Sequence, residues 1–143
     1  MANISTIQGG KAEDHRGQIR FVNDFDMSLV KRFYIIKNLD TELIRGWRAH
    51  RVEQRWFYVL SGAFSIDLIE IDNWETPDPC LPVINKILTA NEMRLLHVSA
   101  GFGTAFRALE PGSELLVYAD RSIADASLDD YTWHTNYFLN YQP

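Results

Sequence analysis

The chain has 143 residues, the length of one ordinary domain, and its formal net charge of -5 disfavours general binding to nucleic acid or to an anionic membrane surface. A lone cysteine, Cys80, excludes an intramolecular disulfide, and the opening residues lack the apolar run of a signal peptide. No apolar run approaches the roughly 18 residues that cross a bilayer. We therefore expect one domain over residues 1–143, with about ten N-terminal residues and residues 122–143 peripheral, in a cytoplasmic protein without nucleic-acid or membrane partners.

Short segments of β character follow one another roughly every 10 residues, and aromatic residues, which strands favour, make up 13% of the chain. Turn residues separate them: Ser61-Gly62 suits a tight hairpin, and residues 75–82 contain three prolines. A short helix is expected over residues 122–130, with Ser122 as its N-cap. The pattern predicts an all-β, antiparallel jelly-roll barrel with little helix. The expected strands span residues 18–24, 32–36, 55–62, 64–72, 84–88, 93–99, 103–110 and 114–120.

The segment RGWRAH, residues 45–50, concentrates positive charge in an acidic protein. If the segment is extended, Arg48 and His50 share one face while Arg45 and Trp47 share the other, because side chains alternate along a strand. Two interpretations stay open. The arginines form a solvated strand edge that resists aggregation, or their guanidinium groups form an anion site at a barrel mouth.

A metal site receives little support from this segment. Small antiparallel barrels often hold a divalent ion through a His-x-His pair, a following Glu and a distant His. Here His50 and Glu53 are present, but Arg48 stands two residues before His50, and Thr104 occupies the later turn. A guanidinium group would also repel a cation. We therefore expect no metal ion.

The order of the motifs resembles that of a known family. "DHRGQI", "RGWRAH", "VLSGAFSIDL", "VSAGFGTAF" and "ELLVYAD", over about residues 10 to 121, are similar to the cupin-fold dTDP-4-dehydrorhamnose 3,5-epimerases and dTDP-4-keto-6-deoxyhexose 3,4-ketoisomerases, the WxcM-like group. The resemblance implies a cupin-type homodimer that binds a dTDP-linked sugar or similar anionic carbohydrate without metal or redox cofactor. It also implies proton abstraction next to a ketone, in surface-polysaccharide sugar biosynthesis.

The resemblance also assigns individual positions. Arg45 matches the arginine of the family motif, and His50 matches the second histidine of the ketoisomerases. Arg48 stands at the position of the family base, and an arginine that stays protonated cannot accept a proton. Thr104 and Leu116 stand where the epimerases have a histidine and a tyrosine.

Two hypotheses follow from this pattern. In the first, which we favour, His50 is the base, Arg48 stabilises the enolate oxygen, and Tyr34 or Tyr118 delivers a proton. In the second, the protein is a binding module that holds a nucleotide sugar or another anionic carbohydrate without turning it over. In both, the expected substrate-binding side chains are Arg45, Arg55, Trp47 and Phe102.

Overall fold

The structure is a computed structural model that describes residues 2–143. Within these residues the chain forms twelve strands and one short helix. The strands are β1 (Ile4–Gln8), β2 (Gly10–Asp14), β3 (Gly17–Phe21), β4 (Arg32–Lys37), β5 (Arg45–Ala49), β6 (Arg55–Ser61), β7 (Ala63–Glu70), β8 (Ile84–Thr89), β9 (Arg94–Val98), β10 (Phe102–Ala108), β11 (Glu114–Ala119) and β12 (Tyr131–Thr132). The helix α1 (Ile123–Ala126) lies between β11 and β12.

Two five-stranded sheets face each other. The first has the order β1-β9-β6-β11-β4, the second β12-β5-β10-β7-β8, and β2 and β3 form a separate hairpin. Every pairing between these strands is antiparallel. From β4 to β11 the chain crosses between the sheets at every connection except β7 to β8. This topology confirms the predicted all-β jelly-roll barrel.

The main core lies between the two sheets. Along β11 the side chains of Leu115, Val117 and Ala119 are fully buried against this core, whereas Leu116 and Tyr118 point to the outer face of the first sheet. This is the period-two pattern expected of a strand. Each fully buried Leu, Ile, Val or Phe contributes about 1.5–3 kcal/mol. The largest side chains of the inter-sheet core are Phe57, Phe64, Ile66, Leu68, Leu88, Leu96, Phe102, Phe106 and Leu115.

Gly62 forms the connection between β6 and β7. Its φ of +72° lies in the left-handed region, and a Cβ there would collide with Oγ of Ser113. The strands that it joins belong to different sheets and do not pair. The expectation of a hairpin at Ser61-Gly62 is therefore wrong, although the turn itself is present, because the chain uses it to cross from one sheet to the other.

The N-terminal segment is not peripheral, contrary to the sequence-based expectation. β1 pairs with β9 from Ile4↔Val98 to Gln8↔Arg94 and completes one edge of the first sheet. Sequence periodicity missed this strand because it is an edge strand whose side chains are mostly exposed.

The C-terminal segment also belongs to the fold. β12 pairs with β5, and the rings of Phe138 and Tyr141 lie 5.2 and 5.1 Å from that of Trp47 on the outer face of the second sheet. The helix is shorter than expected, but Ser122 caps it by accepting a hydrogen bond from the backbone N–H of Asp125. No helix within residues 2–143 is long and apolar enough to span a bilayer.

Candidate functional site

A cavity of about 1150 Å³ opens at one end of the barrel. Its walls come from β4, β5, β6 and β10, and the segment from α1 to residue 133 covers one side. The wall mixes apolar side chains with an unusual number of basic ones for the interior of a small barrel. The polar and charged residues that line it are Arg32, Tyr34, Lys37, Arg45, Arg48, His50, Arg55, Thr104, Ser127, Asp130 and Thr132.

A β-bulge in β5 aligns three residues of the RGWRAH segment on this cavity. The pairing with β10 runs Ala49↔Gly103 and Arg48↔Thr104, then shifts so that Arg45 lies opposite Phe106. The extra residue reverses the alternation, so that Arg45, Arg48 and His50 all line the cavity. The prediction that Arg45 faces away from Arg48 and His50 is therefore wrong, because a regular strand was assumed.

His50 lies at the end of β5 and is buried, with 7% of its surface exposed. Its Nδ1 is 2.7 Å from the backbone carbonyl oxygen of Asp129, and that oxygen can only accept, so Nδ1 carries the hydrogen. The lone pair of the neutral ring is then on Nε2. Burial, and next the charge of Arg55, lower the pKa of His50 from 6.5 to about 4. At neutral pH the imidazole is therefore uncharged and able to accept a proton.

Asp129 fixes the loop that carries His50. Its carboxylate accepts hydrogen bonds from the backbone N–H groups of Arg51, Val52 and Glu53 at 2.7, 2.9 and 2.8 Å. Charge-assisted bonds to backbone donors are among the stronger hydrogen bonds in proteins. Asp129 could not be predicted from the sequence, because it lies 76 to 78 positions from the residues that it binds and no local motif indicates the contact.

Arg55 is a buried cation at the base of the cavity, with 3% of its surface exposed. Its Nη2 donates to Oγ1 of Thr104 at 3.2 Å, and its Cζ lies 5.2 Å from the ring centroid of Phe57. No ion pair joins Arg55 to a carboxylate anywhere in residues 2–143. Buried charges are normally paired, so the geometry calls for an anionic group of a ligand at this point.

Arg45 and Arg48 lie nearer the cavity mouth. Arg45 donates from Nε to Oδ1 of Asn38 at 3.0 Å, a neutral partner that leaves the positive charge available. Arg48 is different: its Nε is 3.1 Å from Oδ1 of Asp130, and 60% of its side chain is exposed. Its charge is therefore already neutralised by the segment that covers the cavity.

The two tyrosines singled out from the sequence lie on opposite faces of the first sheet. Tyr34 lines the cavity, with Cζ of Arg32 5.2 Å from its ring centroid. Tyr118 points to the outer face, where its ring lies 5.4 Å from Phe25 and 6.3 Å from Phe33. Tyr118 is therefore excluded as a proton donor in this cavity, since β11 presents its odd-numbered residues to the interior.

Trp47 and Phe102 were expected to bind substrate, and the structure places both side chains in packed cores. Trp47 is one of the residues that line the cavity, but its ring is fully buried on the outer face of the second sheet, and Phe102 belongs to the inter-sheet core with 4% exposed. Neither ring is free to stack on a ligand. The expectation that these two side chains bind substrate is therefore not supported, because both rings supply apolar packing.

Within residues 2–143 no group of three or more His, Cys, Asp and Glu side chains is arranged to hold a metal ion. The polar atoms that face the cavity are mainly the nitrogen atoms of arginine, lysine and histidine. Such a donor set suits an anion and repels a cation.

Solved structures with the same fold were found along almost the whole chain. A single-residue mutant of a 3,4-ketoisomerase from Thermoanaerobacterium thermosaccharolyticum, in complex with TDP-4-keto-6-deoxyglucose, matches with a TM-score of 0.71 and 20% identity, over 95% of this chain and 91% of that one. The TDP-quinovose 3,4-ketoisomerase from Campylobacter jejuni matches with a TM-score of 0.69 and 21% identity, over 97% and 98%. These matches establish that the chain has the fold of these enzymes.

A dTDP-4-dehydrorhamnose 3,5-epimerase from Bacillus anthracis, with TDP and PPi bound, also matches, with a TM-score of 0.71 and 17% identity over 91% of this chain and 78% of that one. No protein-family model matches the sequence, and no curated protein matches it. The likeness is therefore one of fold at low sequence identity, and the activity has to be argued from the cavity itself.

Proposed function

We propose that the cavity binds a dTDP-linked 4-keto-6-deoxysugar and that the protein moves a proton next to the ketone, as an epimerase or ketoisomerase does. One observation carries the proposal: a neutral, buried His50 and an unpaired, buried Arg55 line the same open cavity. Three solved structures with this fold support the ligand class. One is a ketoisomerase that holds a TDP-linked sugar, and the other two are enzymes named for a TDP-linked or dTDP-linked sugar.

His50 is the proposed base. A base for this reaction must be uncharged at neutral pH and must keep one ring nitrogen unprotonated. The lowered pKa of His50 meets the first condition, and the hydrogen bond from Nδ1 to the Asp129 carbonyl oxygen meets the second by leaving Nε2 unprotonated. The proton leaves the carbon next to the ketone for Nε2, the electron pair of the broken C–H bond forms the C=C bond of the enolate, and the π pair of the ketone moves to its oxygen.

Arg55 is the proposed partner of the enolate oxygen. The sequence-based hypothesis gave that role to Arg48, but Arg48 is mostly exposed and paired with Asp130. Arg55 is buried, has no carboxylate partner within residues 2–143, and is the charge that most lowers the pKa of His50. A preorganised cation in a water-poor site stabilises developing negative charge more than a solvated one does.

The mouth of the cavity is the proposed diphosphate site. Arg45 lies opposite Phe106 on β10, two residues along the strand from Thr104, which binds Arg55. At about 3.4 Å per residue the two β10 positions are separated by roughly 7 Å, enough to place a diphosphate and a sugar ring in sequence. Lys37 adds a further positive charge to this part of the wall.

Tyr34 is the proposed acid that returns a proton to the enolate. Its ring belongs to the cavity wall on β4, across from the β5 residues of the site. A donor on a different sheet from His50 can reach another face or another carbon of the sugar, which both epimerisation and ketoisomerisation need. Arg32, whose Cζ is 5.2 Å from the ring centroid, holds the ring in place through a cation–π contact.

We further propose a cytoplasmic homodimer that acts in the synthesis of surface-polysaccharide sugars. The edge strand β4 exposes Phe33 and Ile35, 64% and 49% of whose surfaces are accessible. Exposed apolar side chains on an unpaired edge are the type of surface that a second subunit covers. We expect analytical ultracentrifugation of the protein at tens of micromolar to show a dimer. A monomer at that concentration would contradict this part of the proposal.

Solvent deuterium exchange tests the proposed chemistry. The protein is incubated with a dTDP-4-keto-6-deoxyhexose in deuterium oxide, and NMR or mass spectrometry follows deuterium at the carbon next to the ketone. We expect incorporation well above that of the protein-free control. Binding of the sugar without exchange would overturn the catalytic proposal in favour of a binding module, and no heat with any dTDP-sugar or UDP-sugar in calorimetry would overturn the ligand assignment.

A further inference from the structure

Glu53 is a fully enclosed carboxylate beside His50. Its Oε1 accepts a hydrogen bond from Nη2 of Arg32 at 3.0 Å, whereas its Oε2 is buried without any hydrogen-bond partner. An unsatisfied buried oxygen of this kind is costly and rare. The titratable nitrogen near it is Nε2 of His50, at 3.6 Å. The unpaired oxygen therefore faces the one nitrogen of His50 that can gain a proton.

The hydrogen bond to the Asp129 carbonyl oxygen makes this contact directional. Because Nδ1 of His50 already carries its hydrogen, any additional proton that the ring accepts must bind to Nε2. That proton would then lie beside Oε2 of Glu53. At 3.6 Å the contact is too long for a hydrogen bond in the resting state, and it would shorten as the ring becomes charged.

Several other charges face this pair, and their balance matters. Burial raises the pKa of Glu53, and the charges of Arg32 and Arg55 oppose that rise. Both cations favour the ionised carboxylate, and Arg55 also disfavours a charged His50. The charged or titratable groups that face the pair are Arg32 of β4, Arg55 of β6, Asp120 after β11, and Asp129 and Asp130 before β12.

We infer that Glu53 is a positioning residue that shares the proton taken up by His50, and that Arg32 holds its carboxylate in place. Neutral His50 and ionised Glu53 bind one proton together more tightly than His50 would alone, because the new imidazolium and the carboxylate attract each other. In the proposed reaction, on which the catalytic part of this inference rests, that proton comes from the sugar carbon. No electron donor or acceptor is needed, because only protons move: Tyr34 returns a proton to the sugar, and the proton held by His50 is then released to solvent, from which Tyr34 is reprotonated.

An NMR titration of the His50 ring tests the shared proton without any substrate. The variants are Glu53→Gln, which removes the carboxylate, and Arg32→Gln, which removes the cation that competes with a charged His50 for that carboxylate. We expect the apparent pKa of His50 to fall by at least about one unit in the first variant and to rise in the second. Glu92→Gln is the matched control, since Glu92 also pairs with an arginine, Arg94 at 2.9 Å, and it should leave the titration unchanged.

Opposite shifts cannot come from a general loosening of the fold, which would move both variants toward the ordinary histidine pKa. Equal pKa values in the wild type and in both variants, or shifts of the same sign, overturn the inference. If Glu53→Gln does not fold, Glu53→Asp, which draws the carboxylate back from Nε2, takes its place: a lowered pKa of His50 supports the shared proton, and an unchanged or raised pKa contradicts it.

The deuterium assay gives a second readout that separates this inference from the proposed function. Glu53→Gln should lower the exchange rate at saturating sugar at least about tenfold, equivalent to one pKa unit on the base, with KM nearly unchanged. An unchanged rate overturns the catalytic role of Glu53. If the wild type shows no deuterium exchange but the two variants still shift the His50 pKa in opposite directions, the proposed function is removed and the shared proton is established.

Discussion

The cavity and the outer face of the first sheet contain similar side chains in different settings. Each region holds a histidine with a lowered pKa, His50 in one and His97 in the other, and burial is the main cause in both. On the outer face, the ring of His97 stacks on Trp56 at 5.0 Å, and its Nε2 is 2.6 Å from Oε1 of Gln54. In the cavity, Nε2 of His50 has no hydrogen-bond partner within the described chain.

The difference lies in what surrounds each ring. Trp56, Tyr118 and Phe25 form with His97 an outer aromatic cluster, and none of these four residues lines the cavity that holds His50. The cavity instead leaves open volume and an unpaired, buried arginine next to His50. A histidine with a lowered pKa therefore indicates a reactive site only where space and an uncompensated charge accompany it.

The largest effect is expected from replacing each of the two histidines, one at a time, by glutamine. His50→Gln should reduce deuterium exchange by about 10²–10⁴-fold, the usual contribution of a general base. His97→Gln should leave the rate within about threefold, because its ring faces packed aromatic residues. Both variants are assayed at saturating sugar, and a larger loss in His97→Gln than in His50→Gln would reverse the assignment of the two regions.

Acid should destabilise the wild type through His50. The folded-state pKa of about 4 is below the ordinary value of 6.5, so the unfolded chain binds the proton first as the pH falls. The stabilisation is present above pH 6.5 and is lost on the way to pH 4, by about 3 kcal/mol relative to His50→Gln. Urea unfolding of both proteins at pH 7, 5.5 and 4 measures the difference. A constant difference across these pH values would show that His50 titrates normally.

Arg45 should matter more for affinity than for rate. Arg45→Met removes a charge whose protein partner is the neutral Asn38, so dTDP binding should weaken by about 1.5–3 kcal/mol while exchange at saturation changes little. Arg107→Met is the control: Arg107 lies on β10 but is absent from the cavity wall. Calorimetry with dTDP checks both, and equal affinities would place the diphosphate elsewhere.

The smallest effect concerns the two tyrosines. Tyr34→Phe should lower the exchange or turnover rate about tenfold by removing a proton donor from the cavity wall, whereas Tyr118→Phe should not change it. The hydroxyl is the only group altered in each variant, which keeps the packing of both rings. If Tyr118→Phe were the slower enzyme, the chain register of β11 described above would have to be wrong.

Much of the fold was predictable from the sequence because hydrophobic periodicity reports which face of a strand is buried. The strands from β6 to β11 and the capped helix at Ser122 follow from local pattern alone. The edge strand β1 and the docking of Phe138 on Trp47 did not, since exposed strands lack periodicity and aromatic packing depends on tertiary contacts.

The site was predictable only in part, for a different physical reason. Arg45, His50 and Arg55 were chosen for their chemistry, and all three line the cavity. Their shared orientation depends on a bulge in β5, and a single inserted residue reverses every face that alternation predicts. The roles of Asp129 and of the enclosed Glu53 depend on long-range contacts and burial, which a single sequence does not display.

The central claim is that the cavity, and not the outer aromatic cluster, receives the dTDP-sugar. Chemical shifts of the two histidine rings during a titration with a dTDP-4-keto-6-deoxyhexose test it most directly, because each ring reports on one region. The account predicts that the resonances of His50 move with the binding isotherm and that those of His97 stay in place. Movement of His97 with His50 unchanged would contradict it.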